Sequence, residues 1–231
     1  MEKRPPLSPR LLRIAQMIPA CRCMADIGTD HAYLPVWLCL ENRAETAVAA
    51  DINQGPLSKA EETVRRFGLE GRISIRLGGG AAPLAPGEAD TIVIAGMGGL
   101  LIGEILKADP EVFQNADRIL LQPMSSIPEL REALYHMGYS VLEEVLVPEE
   151  EKLYHILSVE KTPEQELFSY TDFVLGRQLC QSKPEHFDRY LTLQRERLSR
   201  KLSGLKQGKS ANKTSLEETK ALLDEIEVMQ K

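Results

Sequence analysis

Two acidic positions follow short apolar runs and have the residue types needed to bind a cationic cofactor. The first run ends at Ile27 and is followed by Gly28, where the backbone is expected to turn tightly, and by Asp30. A dinucleotide-binding turn would have glycines where this chain has Asp30 and Tyr33, so a pyrophosphate would meet a carboxylate there instead of backbone N–H groups. S-Adenosylmethionine has no phosphate and carries an ammonium and a sulfonium, and Asp51, at the end of the next apolar run, can accept its ribose hydroxyls. The pattern therefore favours S-adenosylmethionine over NAD.

Glycine-rich segments follow the third and fourth apolar runs. Gly78-Gly79-Gly80-Ala81 either lets the backbone approach a flat ligand or forms a flexible loop. In Gly96-Met97-Gly98-Gly99 the glycines indicate close approach to a substrate, with Met97 packed on a planar base. Gln122 ends the fifth run and either binds a base edge or caps the strand. Because ligands of open α/β sheets bind outside the carboxyl ends of the strands, these segments are expected to lie near the two acidic positions.

The histidines are weaker candidates than the carboxylates. His31 beside Asp30 suggests a catalytic pair, but neighbouring residues on a turn usually point apart, and a hydrogen bond that shapes the turn is the alternative. Asp30 is the stronger candidate, because it lies at the mouth of the predicted cofactor site. His136, His155 and His186 are predicted to lie on helix or strand surfaces and are given no role.

The elements that position these residues alternate between strand and helix patterns through residue 160. Five buried strand-like runs, separated by helix-length segments, are typical of a parallel sheet covered on both faces. Two further runs are joined by a turn too short for a crossover helix and are predicted to form an antiparallel hairpin. The strands are Met24–Ile27, Ala47–Asp51, Ile73–Leu77, Thr91–Ala95 and Ile119–Gln122; the helices are Tyr33–Leu40, Pro56–Phe67, Leu100–Ala108 and Ile127–Met137; the hairpin is Val141–Val147 and Leu153–Val159.

The predicted fold class is α/β. Five βα units closed by an antiparallel hairpin form the layout of a Rossmann-like methyltransferase sheet, and an NAD domain normally lacks that terminal reversal. The carboxyl-terminal part changes to two polar helical runs with narrow apolar stripes, separated by turn-forming residues at 208–212 and with Thr214 or Ser215 as the N-cap of the second. We therefore predict a methyltransferase domain at residues 1–162 and a helical domain at 163–231, whose basic and acidic arms form a coiled-coil-like antiparallel hairpin.

The net charge of −6 conceals two basic segments. Residues 1–22 carry a net charge of +4 and residues 177–213 a net charge of +7. Such segments can contact the phosphates of a nucleic acid, whereas the acidic remainder would repel them. For the second segment, a solvated helix face that partly pairs with the acidic arm is the alternative.

Composition limits the other classes of protein. No apolar run approaches eighteen residues, so no membrane span is predicted, and the amino terminus lacks the apolar core of a signal peptide. The four cysteines form no C-x-x-C pair and are expected to be small buried side chains rather than a metal site. A reducing cytoplasm is the expected location.

Four motifs together resemble the bacterial tRNA adenine-22 N1-methyltransferases. They are Asp26 to Pro35, Ala50 to Ile52, Ala95 to Gly99 and Leu121 to Pro123, and the resemblance extends over the whole chain. It implies that S-adenosylmethionine is the cofactor and tRNA the partner, with the amino-terminal helix and the helical tail gripping the tRNA. The implied cofactor site consists of Asp26, Gly28, Asp30, Asp51, Ile52, Gly78, Gly79, Gly80, Ala81 and Gly96; the implied RNA-binding residues are Arg4, Arg10, Arg13, Arg195, Arg197, Arg200 and Lys201.

The chemistry implied by this resemblance needs few catalytic groups. Adenine N1 has a lone pair, so no strong base is required, and the enzyme must extrude the base, aim N1 at the methyl group and tolerate the resulting cation. Asp30 is expected to accept a hydrogen bond from the exocyclic amine, while Met97 or Tyr33 packs against the base. The absence of an Asn-Pro-Pro-Tyr signature, which many amino-methylating enzymes use, fits a ring nitrogen as the target.

Three other functions stay open at this point. The chain is alternatively a methyltransferase acting on another RNA, a protein or a small molecule. A non-catalytic RNA-binding protein with a degenerate cofactor fold would not bind S-adenosylmethionine, and an NAD-dependent dehydrogenase requires Asp30 to point away from the turn. The tail can dimerise or fold back on itself, and a monomer is the working expectation.

Overall fold

The computed structural model describes residues 4–162, 167–207 and 213–231. Its internal contacts divide the chain into two compact units, Met1–Leu167 and Phe168–Lys231. The first unit holds a seven-stranded sheet in the order β3-β2-β1-β4-β5-β7-β6. Its strands are β1 (Cys21–Ile27), β2 (Ala44–Asp51), β3 (Ile73–Leu77), β4 (Thr91–Gly98), β5 (Arg118–Ser125), β6 (Tyr139–Glu149) and β7 (Lys152–Lys161).

Strands β1 to β5 are parallel, and β7 is antiparallel to both β5 and β6. The predicted α/β class and the closing hairpin are therefore confirmed. The hairpin turns within two residues between β6 and β7, which leaves no room for a crossover helix. Only β7 runs against the other strands, so the carboxyl ends of β1 to β5 share one edge of the sheet.

Within the described residues 4–162, six helices cover the sheet of the first unit. One hydrophobic cluster joins one face of the sheet to residues of α1, α2 and α3, and a second joins the other face to residues of α4, α5 and α6. This two-sided burial explains the nearly continuous apolar runs of the parallel strands. The helices are α1 (Pro9–Met17), α2 (Tyr33–Leu40), α3 (Gln54–Arg66), α4 (Gly99–Ala108), α5 (Pro110–Gln114) and α6 (Ile127–His136).

The connection from β3 to β4 departs from the predicted series of five βα units. Residues 78–90, all described by the structure, contain turns and no helix. Three consecutive glycines and two prolines in this segment disfavour a helix. Its apolar side chains Ala81 and Leu84 are nevertheless buried, so the segment covers the sheet as a packed loop.

A buried charged triad links α6 to the closing hairpin, and it corrects the prediction that His155 lies on a surface. Arg131 donates from Nε and Nη2 to the carboxylate of Glu144 at 3.1 and 2.6 Å, and His155 Nδ1 lies 2.7 Å from Glu144 Oε1. Burial alone would raise the pKa of Glu144, but Arg131 and His155 outweigh it and lower that pKa to about 2. Burial lowers the pKa of His155, against the attraction of Glu144. The triad is therefore Arg⁺–Glu⁻–His⁰ at neutral pH.

The second unit is helical. A π-helical turn (Asp172–Gly176) leads into α7 (Arg177–Ser182), and two long helices follow, α8 (Phe187–Gln207) and α9 (Lys213–Met229), which pack against each other. The predicted break at 208–212 lies outside the described residues. The predicted N-cap at Thr214 or Ser215 is wrong, because α9 already begins at Lys213.

Contacts between the two arms are hydrogen bonds as well as apolar packing. Gln230, just beyond α9, accepts from Arg195 at 2.9 Å and donates to Thr192 at 3.4 Å, both on α8. The ion pairs of Lys213 with Glu217 and of Lys231 with Glu227 connect residues four positions apart at the two ends of α9, so they do not link the two arms. On α8, the basic residues Arg195, Arg197, Arg200 and Lys201 are exposed.

Candidate active site

The turn after β1 has the conformation that its glycine predicts. Gly28 adopts φ +82°, and the N–H groups of Gly28 and Thr29 both donate to the carbonyl of Ala50 at 2.8 and 3.0 Å. Thr29 Oγ1 accepts from the N–H of Ala32 at 3.1 Å, which closes the turn before α2. A Cβ at Gly28 would lie 2.1 Å from the terminal methyl of Met97. The absence of a side chain therefore makes room for Met97 as well as for the turn.

Comparing Gly28→Ala with Gly68→Ala separates the cost of backbone strain from the cost of displacing Met97. Gly68→Ala should lower the free energy of unfolding by about 1–2 kcal/mol through left-handed strain alone, because φ is +67° and no atom lies within 4 Å of the added Cβ. Gly28→Ala carries the same strain and must also displace Met97, so it should cost more and weaken ligand binding. Denaturant unfolding of both variants measures the difference. Equal losses would show that the Met97 contact costs nothing.

A cavity of about 350 Å³ opens at the carboxyl ends of β1, β4 and β5. It brings together many of the predicted site residues and adds others that the prediction missed, notably Thr29 and Ala95. The residues considered in the sequence analysis that line it are Arg10, Asp26, Gly28, Asp30, His31, Tyr33, Gly96 and Gln122. Thr29 and Ala95 carry little signal in sequence, because they contribute through backbone position and a short side chain rather than through charge.

The two carboxylates of the cavity have different environments. Asp26 is 9% exposed, and its burial, with a smaller contribution from the charge of Asp51, raises its pKa to about 6 against an opposing hydrogen bond from Thr29. Asp30 is 68% exposed and lies at the mouth. Its carboxylate contacts His31 Nε2 at 3.2 Å and Lys59 Nζ at 3.7 Å. A buried acid and a solvated acid therefore face the same space.

His31 contacts Asp30 directly, so the expectation that these neighbours point apart is wrong. The left-handed backbone at Ala32, with φ +53°, redirects the chain immediately after His31. The imidazole also stacks on Tyr33, with ring centroids 4.9 Å apart and planes 16° from parallel. Both rings line the cavity and form a flat surface beside Asp30.

A second group of predicted residues lies at the ends of β2 and β3, outside the residues that line the cavity. The N–H of Gly78 donates to the carbonyl of Asp51 at 3.0 Å, and Asp51 Oδ1 accepts from the N–H of Asn53 at 2.7 Å. Ile52 is 68% exposed, and its Cδ1 lies 3.3 Å from the position of a Cβ on Gly79. An acid and an exposed apolar side chain thus adjoin a bare glycine backbone.

The remaining residues of the glycine segment have structural explanations. A Cβ on Gly78 would lie 2.4 Å from Pro83 Cγ, and one on Gly80 would touch Ile105. Ala81 is fully buried in the hydrophobic cluster, so the predicted cofactor contact cannot involve its side chain. Close packing against the protein itself accounts for these residue types, and their contact with the cofactor stays a prediction.

Met97 and Gln122 are both held by protein contacts. The Met97 side chain lies against Gly28 rather than among the cavity-lining residues. Gln122 is fully buried, accepts from the N–H of Gly96 at 3.1 Å and donates to the carbonyl of Pro123 at 2.9 Å. These hydrogen bonds are those expected of the strand-capping alternative, but Gln122 also lines the cavity, and its contact with a base edge stays a prediction.

The predicted RNA-binding arginines of the first unit have partners. Arg4 pairs with Glu41 at 2.5 Å and lies over Trp37, and Arg13 pairs with Glu143 at 3.5 Å. Both pairs are solvent-exposed and therefore weak, so the arginines can exchange partners. Arg10 alone of these three lines the cavity.

In the second unit, the predicted RNA-binding residues lie on α8. Arg195 and Arg200 border a shallow surface depression, in which Arg200 Nε lies 3.4 Å from the carbonyl of Glu196. Arg197 and Lys201 are exposed on the same helix. Whether any of these side chains binds RNA stays a prediction.

Two further observations concern the described residues alone. They contain no group of three or more His, Cys, Asp or Glu side chains that could hold a metal ion, and the four cysteines are free thiols. None of the described helices combines the length and apolarity needed to cross a membrane.

Comparisons with known proteins agree with this geometry. A family model described as a methyltransferase domain matches residues 7–157. The tRNA (adenine(22)-N(1))-methyltransferase of Bacillus subtilis is 43% identical over 154 residues, which cover 67% of this chain and 65% of that protein. The chain thus aligns with slightly less than two thirds of that relative's length.

Solved structures cover nearly the whole chain. The crystal structure of the B. subtilis m1A22 tRNA methyltransferase TrmK superposes with a TM-score of 0.83 at 33% identity, covering 97% of both chains. Streptococcus pneumoniae Sp1610, a putative tRNA (m1A22) methyltransferase in complex with S-adenosyl-L-methionine, superposes with a TM-score of 0.81 at 30% identity, covering 97% of this chain and 98% of that one. The protein therefore belongs to the bacterial tRNA (adenine-22 N1)-methyltransferase family.

Proposed function

We propose that this protein transfers a methyl group from S-adenosylmethionine to N1 of an adenine in tRNA, at position 22. The observation that carries the proposal is the cavity at the carboxyl ends of β1 and β4, which presents Asp26 and Asp30 where a phosphate-binding turn would present bare backbone. Relatives that are named for this reaction share the fold over nearly their whole length. A tRNA substrate would place the reaction in the cytoplasm.

The residues fit S-adenosylmethionine as the methyl donor. Asp26 and Asp30 offer negative charge to its ammonium and sulfonium, and Asp51 offers a carboxylate to its ribose. Ile52 and the backbone at Gly79 offer an apolar slot for its adenine. Because β2, β1 and β4 are neighbours about 4.8 Å apart, these groups lie along a line of suitable length for one extended ligand. When bound, the donor supplies an electrophilic methyl group.

The protein's own residues need to orient the acceptor and stabilise the charge that develops on it. Asp30 accepts a hydrogen bond from the adenine exocyclic amine, which becomes more acidic as N1 takes up the methyl group. His31 and Lys59 each contact one oxygen of the Asp30 carboxylate at the mouth of the cavity. The stacked rings of His31 and Tyr33 provide a flat surface for the extruded base, whose N1 must leave any base pair before it can react.

We assign tRNA binding to both basic segments. Arg4, Arg10 and Arg13 would contact the RNA from the first unit, and Arg195, Arg197, Arg200 and Lys201 from α8. We also assign catalysis to residues 1–162 and RNA binding chiefly to residues 163–231. Because phosphate contacts release counterions, methylation should weaken steeply as salt concentration rises.

The test is incubation of the purified protein with labelled S-adenosylmethionine and an unmodified tRNA transcript, followed by nucleoside mass spectrometry. The proposal requires that 1-methyladenosine forms in the unmodified transcript. It also requires that no 1-methyladenosine forms in a control transcript with guanine at position 22. Methylation of the control transcript at the same level would make the site assignment wrong. If calorimetry detects no binding of S-adenosylmethionine and no methyl group is transferred, the result would favour a non-catalytic RNA-binding protein.

The raised pKa of Asp26 predicts that cofactor affinity depends on pH. A cationic ligand favours the ionised carboxylate, so binding should release a proton and affinity should fall by about tenfold between pH 7 and pH 5. Without ligand the sign is opposite: a carboxyl whose pKa is raised on folding stabilises the fold at low pH, and this contribution is lost as pH rises through about 6.

Titration calorimetry at pH 5, 6 and 7 measures this dependence. Asp26→Asn is the control, because it keeps the shape of the side chain and removes the proton exchange, and its affinity should vary much less. A wild-type affinity that is constant over this range would show that Asp26 does not face the ligand's positive charge.

A further inference from the structure

Arg10 occupies an unusual position for an arginine on the first turn of a helix. It lines the cavity, its guanidinium lies 5.2 Å from the ring centroid of Tyr154 on β7, and its Nη1 donates to the sulfur of Met124 on β5 at 3.3 Å. Its Nε is buried and has no hydrogen-bond partner. A buried donor without a partner is unfavourable, and a ligand acceptor would remove this cost.

The nearest carboxylate does not satisfy this guanidinium. Glu149 Oε2 accepts from the backbone N–H of Arg10 at 3.2 Å, and Glu149 Oε1 lies 3.9 Å from Arg10 Nε, beyond hydrogen-bond distance. Glu149 therefore caps the start of α1 and offsets part of the charge of Arg10. Among the residues that the structure describes, no carboxylate forms a hydrogen bond with the Arg10 side chain.

The charges of the cavity are segregated along the strand order. Asp26 lies near the end of β1 and Asp30 just beyond it, whereas Arg10 contacts residues of β5 and β7. Strand β4 lies between β1 and β5, so about two strand spacings, or roughly 10 Å, separate the two sides. One side suits a cation and the other an anion.

We propose that Arg10 binds a backbone phosphate flanking the target adenosine, on the β5 side of the cavity. The inference rests on the proposed function and adds to it the group that holds the extruded nucleotide. The cofactor also carries an anion, its carboxylate. The phosphate is favoured because the cofactor's ammonium, which is on the same carbon as its carboxylate, is assigned to the acids at the end of β1, about two strand spacings from Arg10. A guanidinium also matches phosphate geometry with paired donors.

The test pairs changes in the protein with changes in the RNA. Two tRNAs are assembled by ligation, and each carries one neutral methylphosphonate in place of a phosphate, either on the 5′ or on the 3′ side of adenine 22. The nucleotide that precedes the methylphosphonate is 2′-deoxy. Each matched control RNA has the same 2′-deoxy nucleotide and an ordinary phosphate. Wild type should lose about 10- to 100-fold in kcat/KM on one of the two RNAs. Arg10→Ala should lose a similar factor on the phosphate control and little more on the methylphosphonate, because the contact is already absent.

Arg13→Ala provides the matched comparison, since Arg13 is one turn further along α1 and pairs with Glu143 outside the cavity. Whatever its effect on overall tRNA affinity, it should keep the wild-type sensitivity to the methylphosphonate. Arg10→Lys, which keeps the charge, should retain part of that sensitivity and serves if the alanine variant does not fold.

Several results would overturn the inference. One is a wild-type rate that neither methylphosphonate lowers, which needs no variant. Another is a loss of tenfold or more in S-adenosylmethionine affinity for Arg10→Ala while its methylphosphonate sensitivity stays intact, which would assign Arg10 to the cofactor carboxylate. Absence of methylation on the unmodified phosphate RNA would instead refute the proposed function, so the two failures are distinguishable.

Discussion

Asp30→Ala should lower the single-turnover rate of adenine methylation by about 10²- to 10³-fold, the usual effect of removing one preorganised group that stabilises developing charge. Positive charge spreads over the adenine ring as N1 is methylated, and we propose that Asp30 at the cavity mouth accepts a hydrogen bond from the exocyclic amine. Affinity for S-adenosylmethionine should change only a few-fold, because the Asp30 side chain is 68% exposed and its charge is well screened. Rapid-quench kinetics with saturating cofactor and calorimetry with S-adenosylmethionine measure the two quantities.

Two further variants distinguish a chemical role from a structural one. Asp30→Asn keeps the shape and an acceptor oxygen but removes the charge, so it should recover only part of the lost rate. Lys59→Ala removes the ion pair and leaves the carboxylate in place, so its rate should stay close to that of wild type. An undiminished single-turnover rate in Asp30→Ala would exclude the catalytic role.

The largest effect on stability is expected from Glu144→Ala. This change leaves Arg131 buried without its carboxylate, and breaking a buried pair in this way typically costs about 3–5 kcal/mol. For a chain of this size such a loss corresponds to a fall in Tm of roughly 6–20 °C. The neighbouring Glu143→Ala is the control: its side chain is 50% exposed and pairs with Arg13 at the surface, so it should cost less than about 1 kcal/mol.

The pH dependence of the free energy of unfolding provides an independent check on the buried contacts of Glu144. Because folding lowers the pKa of Glu144, its contribution is present above its unfolded pKa of about 4.5 and is lost as pH falls towards 2. Folding also lowers the pKa of His155, so stability from that group is present above about pH 6.5 and falls as acid protonates the unfolded chain. The difference in unfolding free energy between wild type and Glu144→Ala should therefore narrow below pH 4.5. Equal melting temperatures for the two glutamate variants at pH 7 would contradict the account of the triad.

The agreement between sequence and structure is closest where local chemistry decides. Helix α2 begins at Tyr33 and ends at Leu40 as predicted, and β3 has its predicted bounds of Ile73–Leu77. The hairpin of β6 and β7 was predictable because its connection is too short for anything else. The packed loop of residues 78–90 was not predictable as a cover for the sheet, since its glycines and prolines indicate only that a helix is unfavourable.

Sequence by itself determined the parallel sheet, the left-handed turn at Gly28 and the meeting of Asp26 with Asp30 in one cavity. These follow from hydrophobic period, from the conformational freedom of one glycine, and from the rule that the ends of parallel strands share an edge. Only the tertiary structure decided that Arg10 reaches residues more than a hundred positions away, and that Arg131, Glu144 and His155 form one buried triad. The reason is physical: pairs brought together by packing leave no periodic signal in the chain, because their partners are chosen by the assembled fold.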